Sequence, residues 1–80
     1  MPAAQQRQLN AVIDRNLARA QASLNAIGAR QLPGDQKAVV DQVRNFIQQA
    51  QELRKSDLAA AKSLAERAEV LARDLAARLR

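Results

Sequence analysis

Apolar residues recur at alternating spacings of three and four along three stretches of this chain. Such spacing aligns side chains on one face of an α-helix, so each stretch predicts an amphipathic helix that buries an apolar stripe. We place these helices at about residues 3–28, 35–55 and 57–79. The stripes are Leu9, Ile13, Leu17, Ala20, Leu24 and Ile27; then Val39, Val43, Phe46, Ala50 and Leu53; then Ala61, Leu64, Ala68, Leu71, Leu75 and Leu79.

The two connections are short and carry residues that end one helix and begin the next. Gly28 follows the first stripe and readily adopts the left-handed conformation that stops a helix. We expect Pro33, Gly34 and Asp35 to turn the chain and cap the second helix. Ser56 and Asp57 are both N-cap types immediately before the third stripe.

Short connections force neighbouring helices to run antiparallel. The sequence therefore predicts an all-α fold, an up-down-up three-helix bundle with coiled-coil-like packing, in a single domain over residues 1–80. The stripes of helices two and three each span about 140° of the helix surface, and that of helix one about 80°. We expect helices two and three to pack on two sides each, helix one to lie across one seam, and Phe46 to occupy the centre of the core.

Alanine at several stripe positions makes the predicted core thin. Short side chains bury little apolar area, so a chain of this length is marginally stable alone and gains stability when a partner covers its remaining apolar surface. We therefore expect a protein partner or a homo-oligomer. The residues predicted to stay exposed as association contacts are Val12, Val40, Ile47 and Val70.

Composition argues against catalysis and against a metal or cofactor site. The chain has no His, Cys, Trp or Tyr, so the usual general base, the thiolate nucleophile and the soft metal ligands are missing. Its two glycines flank one turn, which leaves no glycine-rich phosphate loop. Glu66 and Glu69 lie one helical turn apart without a third ligand. We expect a non-enzyme with no catalytic residue, no cofactor and no bound metal.

The hydropathy pattern predicts neither a membrane span nor an export signal. The apolar runs are far shorter than the roughly 20 residues that cross a bilayer. The N-terminal residues lack the continuous apolar core of a signal peptide. We expect a soluble chain, cytoplasmic if these residues are the whole protein and periplasmic if they belong to an exported parent.

The second and third helices carry a pattern of small residues around a tight turn. Ala50, Leu53, Ser56, Asp57, Leu58, Ala61, Leu64, Ala65, Ala68 and Leu71 compose it. Over residues 46–75 this pattern resembles the helical hairpin of tetratricopeptide-type repeats, and similar hairpins occur in Ala- and Gln-rich helical regions of bacterial envelope proteins. It departs from the repeat in lacking the large aromatic and Leu-Gly positions and a second copy. The resemblance implies a protein-interaction scaffold and carries over no binding residue.

The charge of the chain supplies an alternative function. The formal net charge is +5, and Arg7, Arg15, Arg19 and Arg30 fall within about 140° of arc, broadly opposite the stripe of helix one. Such a face attracts phosphates or an acidic protein, although no exposed aromatic is expected to stack on bases. The leading hypothesis is a non-catalytic helical structural or protein-interaction module that self-associates. The alternative is a basic domain that binds nucleic acid or an anionic surface through these arginines.

Three local polar features are expected to support the helices. Glu69 with Arg73 and Asp74 with Arg78 are spaced for ion pairs along the third helix. Asn16 borders the first stripe, where its amide either specifies helix register by pairing with another buried amide or faces solvent.

Overall fold

The computed structural model describes residues 1–28 and 31–79, which form three α-helices. These are α1 (Ala3–Ile27), α2 (Gly34–Leu53) and α3 (Leu58–Arg78). The predicted up-down-up arrangement is confirmed, and each helix begins and ends within two residues of its predicted bounds. The bundle is elongated, with principal extents of 45 × 18 × 15 Å.

Two of the predicted helix-end signals act as expected. Gly28 ends α1 with φ 64° and ψ −145°, a positive-φ conformation that is open essentially to glycine but lies outside the expected left-handed helical region, and its N–H donates to the Leu24 carbonyl at 3.0 Å. Asp57 is the N-cap of α3, where its side chain accepts a hydrogen bond from the Ala60 N–H at 3.0 Å. Local chemistry therefore ends α1 and begins α3.

Of the three residues predicted to turn the chain and cap α2, Pro33 takes the N-cap position. Helix α2 begins at Gly34 with Pro33 as its N-cap, and no side chain caps it. Asp35 lies inside the first turn instead. Pro33 has an extended backbone, with φ −54° and ψ 155°, and the negative charge of Asp35 in the first turn is favoured by the helix dipole.

Helix α3 is the central element of the bundle. Both α1 and α2 pack along α3, whereas α1 and α2 approach each other closely over only a short stretch. The face of α3 that meets them carries short side chains that let neighbouring backbones come close, and each is completely buried. They are Ala61, Ala65, Ala68 and Ala72.

The expectation that α2 also packs fully on two sides is wrong. Val39, Phe46 and Leu53 broaden its apolar stripe, yet all three remain half-buried. Phe46 therefore does not occupy the centre of the core; it packs at the edge of a buried cluster. The breadth of the stripe reflects one buried side and one partly exposed side, because α1 covers only part of the α2–α3 pair.

The core divides into two clusters along the bundle. The cluster nearer Gly28 contains Ala20, Leu24, Ile27, Val40, Val43, Ala68, Ala72 and Leu75. The cluster nearer the α2–α3 turn contains Ile13, Leu17, Ala50, Ala61 and Ala65. Large side chains come mainly from α1 and α2, and alanines mainly from α3.

The burial of these residues differs in part from that predicted for the association contacts. Val40 is only 8% exposed and belongs to the first cluster, so its predicted exposure is wrong. Val12 is half-buried, and the half-buried Ile47 packs against both clusters. Val70 is 42% exposed, as expected. The cause is helix rotation: α2 turns Val40 and Ile47 toward its neighbours, whereas Val70 lies opposite the buried alanines of α3.

The three polar features predicted to support the helices have different outcomes in the structure. The Asn16 amide donates to the Val12 carbonyl at 3.0 Å, so it bonds within its own helix rather than pairing between helices. Glu69 and Arg73 form the expected ion pair at 3.5 Å. Asp74 makes no ion pair within residues 1–28 and 31–79, so its predicted pairing with Arg78 is wrong. Both side chains lie at an exposed edge, where a single pair gains little over hydration.

Candidate interaction surfaces

A shallow, open groove runs along one face of the α2–α3 hairpin. Its larger part, about 460 Å³, is lined by Gln42, Phe46, Glu66, Arg67, Val70 and Leu71. Its smaller part, about 230 Å³, is lined by Asp35, Gln36, Val39, Leu71, Asp74, Leu75 and Arg78. The two parts share Leu71, and α1 contributes to neither. We call the combined surface the hairpin groove.

Half-buried apolar side chains form the floor of the hairpin groove. Val39 and Phe46 lie seven residues apart on α2, and a seven-residue step brings side chains nearly into line along a helix. Together with Leu71 they pack against the first core cluster from its outer side. Leu53 and Leu64 continue the same two lines toward the α2–α3 turn and are also half-buried. The hairpin therefore keeps an apolar edge that α1 does not cover.

Charged side chains border this apolar floor on α3. Val70 lies between Arg67 and Asp74 along the same side of the helix, because residues three and seven apart share a face. Glu66 is engaged by Lys62 at 3.9 Å. Neither Arg67 nor Asp74 makes an ion pair in the part of the chain that the structure describes. Both charges are therefore available to a partner.

The second candidate surface is the outward side of α1. Arg7, Arg15 and Arg19 are all exposed there. Arg30, the fourth arginine expected on this face, lies outside the described residues.

A cross-helix contact neutralises the acidic residue of α1. Arg54, the C-cap of α2, donates through Nη2 to Asp14 Oδ1 at 2.8 Å and to Asn10 Oδ1 at 3.0 Å. The side chain of Arg54 is 23% exposed and that of Asp14 65%, so solvent screening limits this pair to less than about 1 kcal/mol. Its main effect is on charge, since the arginines of α1 have no free carboxylate on their own helix.

Arg54 was not predicted to contact Asp14, although the sequence carries a signal for this pairing. In an up-down-up bundle the C-terminus of the second helix lies beside the first half of helix one. Asp14 is the one acidic residue in that helix. A cation at a helix C-terminus is also favoured by the helix dipole.

Residues 1–28 and 31–79 hold no cluster of metal ligands and no helix suited to crossing a bilayer. No group of three or more His, Cys, Asp or Glu side chains is placed there to hold a metal ion. None of the helices combines the length and hydropathy that crossing a bilayer requires. Every buried side-chain nitrogen or oxygen in the described ranges has a hydrogen-bond partner.

No protein-family model, curated protein or solved structure matches this chain. We therefore infer function from the chemistry of the hairpin groove and of the α1 arginines.

Proposed function

We propose that this chain is a non-catalytic helical protein-interaction module that binds its partner in the hairpin groove. The observation that carries this proposal is the exposure of Val70, at 42%, beside the half-buried Phe46 and Leu71 in one groove. Protein interfaces combine an apolar centre with a polar rim, and aromatic side chains are enriched at that centre. The hairpin groove has both components.

The construction of the hairpin also supports an interaction role. Residues 46–75 resemble a tetratricopeptide-type hairpin, and the same residues supply most of the larger part of the groove. Completely buried alanines on α3, such as Ala65 and Ala68, hold the helices close together. A rigid scaffold of this kind presents a preformed groove, which lowers the entropic cost of binding.

Site-specific photo-crosslinking in cells that make the protein tests this proposal. A photoreactive phenylalanine analogue replaces Val70 in the groove, and in the matched control it replaces Ala22, which is exposed on α1. We expect protein adducts at Val70 to exceed those at Ala22 by about fivefold or more, since crosslinking follows residence in the interface. Equal yields at the two positions would reject the groove as the binding surface. The adduct mass separates a second copy of the chain from a different protein.

A second candidate function is the binding of nucleic acid or an anionic surface through α1. The observation that favours it is the engagement of Asp14 by Arg54, which leaves Arg7, Arg15 and Arg19 without an opposing free carboxylate on α1. The resulting positive field attracts phosphates.

Titration with duplex DNA and with RNA at two salt concentrations checks this second function. If the arginines neutralise about three phosphates, raising the salt fourfold should weaken binding to duplex DNA about 40-fold. Replacing Arg7, Arg15 and Arg19 by glutamine should abolish binding. The control variant carries glutamine at Arg44, Arg67 and Arg78, which loses equal charge elsewhere. The candidate fails if low salt gives no binding, or if both variants weaken binding equally.

A further inference from the structure

The charges of the hairpin groove are arranged symmetrically about an apolar midpoint. Arg67 precedes Val70 by three residues, and Asp74 follows it by four. At a rise of about 1.5 Å per residue, each charge lies about 5 Å along α3 from the point midway between Val70 and Leu71. The two charges have opposite signs. A two-fold rotation about that midpoint therefore superimposes an acidic position on a basic one.

We propose that the partner in the hairpin groove is a second copy of this chain, docked with its α3 antiparallel to the first. This proposal rests on the interaction function proposed above. The two-fold axis passes between Val70 and Leu71, so that Arg67 of one protomer pairs with the partner's Asp74 and the reciprocal pair forms across the axis. Val70 then packs on the partner's Leu71, beside Phe46. Such a contact is isologous and closes as a dimer.

Charge selects this orientation over the parallel one. A parallel pairing of the two α3 helices places Arg67 on the partner's Arg67, and like charges in contact destabilise an interface. The antiparallel pairing turns both contacts into attractions. Because neither side chain has an ion-pair partner within residues 1–28 and 31–79, the new pairs break no existing one.

Charge also favours the hairpin groove as the place where two cationic copies meet. The whole chain carries a net charge of +5. The groove is lined by three carboxylates and two guanidinium groups, those of Asp35, Glu66, Asp74, Arg67 and Arg78. Two copies therefore approach through this face without the repulsion that the net charge produces elsewhere. The same carboxylates disfavour a nucleic acid as the occupant of the groove.

Sedimentation velocity with charge-reversal variants tests the dimer. Wild-type protein should form dimers at concentrations of tens of micromolar. Arg67→Asp and Asp74→Arg should each raise the dimer dissociation constant about tenfold or more, because each places like charges in contact. The double variant restores opposite charges across the axis and should return the constant to within about threefold of wild type. Arg44→Asp is the control: it makes the same charge change at an exposed position of α2 outside the groove and should have no effect.

The outcomes separate this inference from the proposed function. A wild-type chain that stays monomeric at several hundred micromolar overturns the dimer, as does a double variant no tighter than its single parents. Thermal melting followed by circular dichroism verifies that each variant is folded, and Arg67→Gln repeats the test without charge reversal. If photo-crosslinks at Val70 join a different protein while the chain is monomeric, the groove binds a partner but not a second copy. If crosslinks at Val70 do not exceed the control, the proposed function itself fails.

Discussion

Ile13→Ala is expected to lower the free energy of unfolding by about 3–4 kcal/mol. Ile13 is completely buried and, with Val43, is one of the two largest side chains buried to that degree. The other buried members of its cluster are Leu17 and three alanines. An alanine side chain cannot rotate to fill the space that the substitution opens. The loss therefore combines the transfer free energy of the removed carbons with the cost of a cavity.

Urea denaturation followed by circular dichroism measures this loss. Val12→Ala is the matched control on the same helix, because Val12 is only half-buried, and we expect it to cost about 1 kcal/mol. An equal cost for the two substitutions would show that α1 is rotated differently about its axis.

Ala68→Leu is expected to destabilise the bundle by about 3 kcal/mol, although leucine is a good helix former. Ala68 is completely buried in the first core cluster, on the face of α3 where backbones approach closely. A leucine there must push a neighbouring helix away or adopt a strained rotamer.

Thermal and urea melts of Ala68→Leu and Ala77→Leu provide the comparison. Ala77 is exposed on the same helix, so Ala77→Leu should change stability by less than about 0.5 kcal/mol. A stable Ala68→Leu variant would contradict the central position of α3, since only close packing makes the larger side chain costly.

The two proposed surfaces differ in how far the sequence indicates them. The α1 arginines follow from helical periodicity, which places Arg7, Arg15 and Arg19 away from the apolar stripe. The hairpin groove does not follow in this way, because Val39, Phe46 and Leu71 carry the same pattern as buried residues. Only the position of α1 leaves that side of the hairpin uncovered.

The three helices and two of their ends follow from local signals in the sequence. Spacings of three and four mark one face of each helix, and this signal is local, since every turn contributes to it. Gly28 and Asp57 act through their own backbone conformation and nearest hydrogen bonds, so their roles are also visible in the sequence. Short connections then leave little choice but antiparallel neighbours.

The packing of the helices against one another sets which residues of each stripe are buried. Periodicity gives the side of a helix but not its rotation against neighbours, so Val40 is buried and Phe46 half-buried against expectation. It also decided that α3 is central, because the length of each side chain sets how closely two helices approach. The pairing of Arg54 with Asp14, 40 residues apart in sequence, likewise depends on how the helices pack. Contacts between distant residues depend on distances that only the packed helices define.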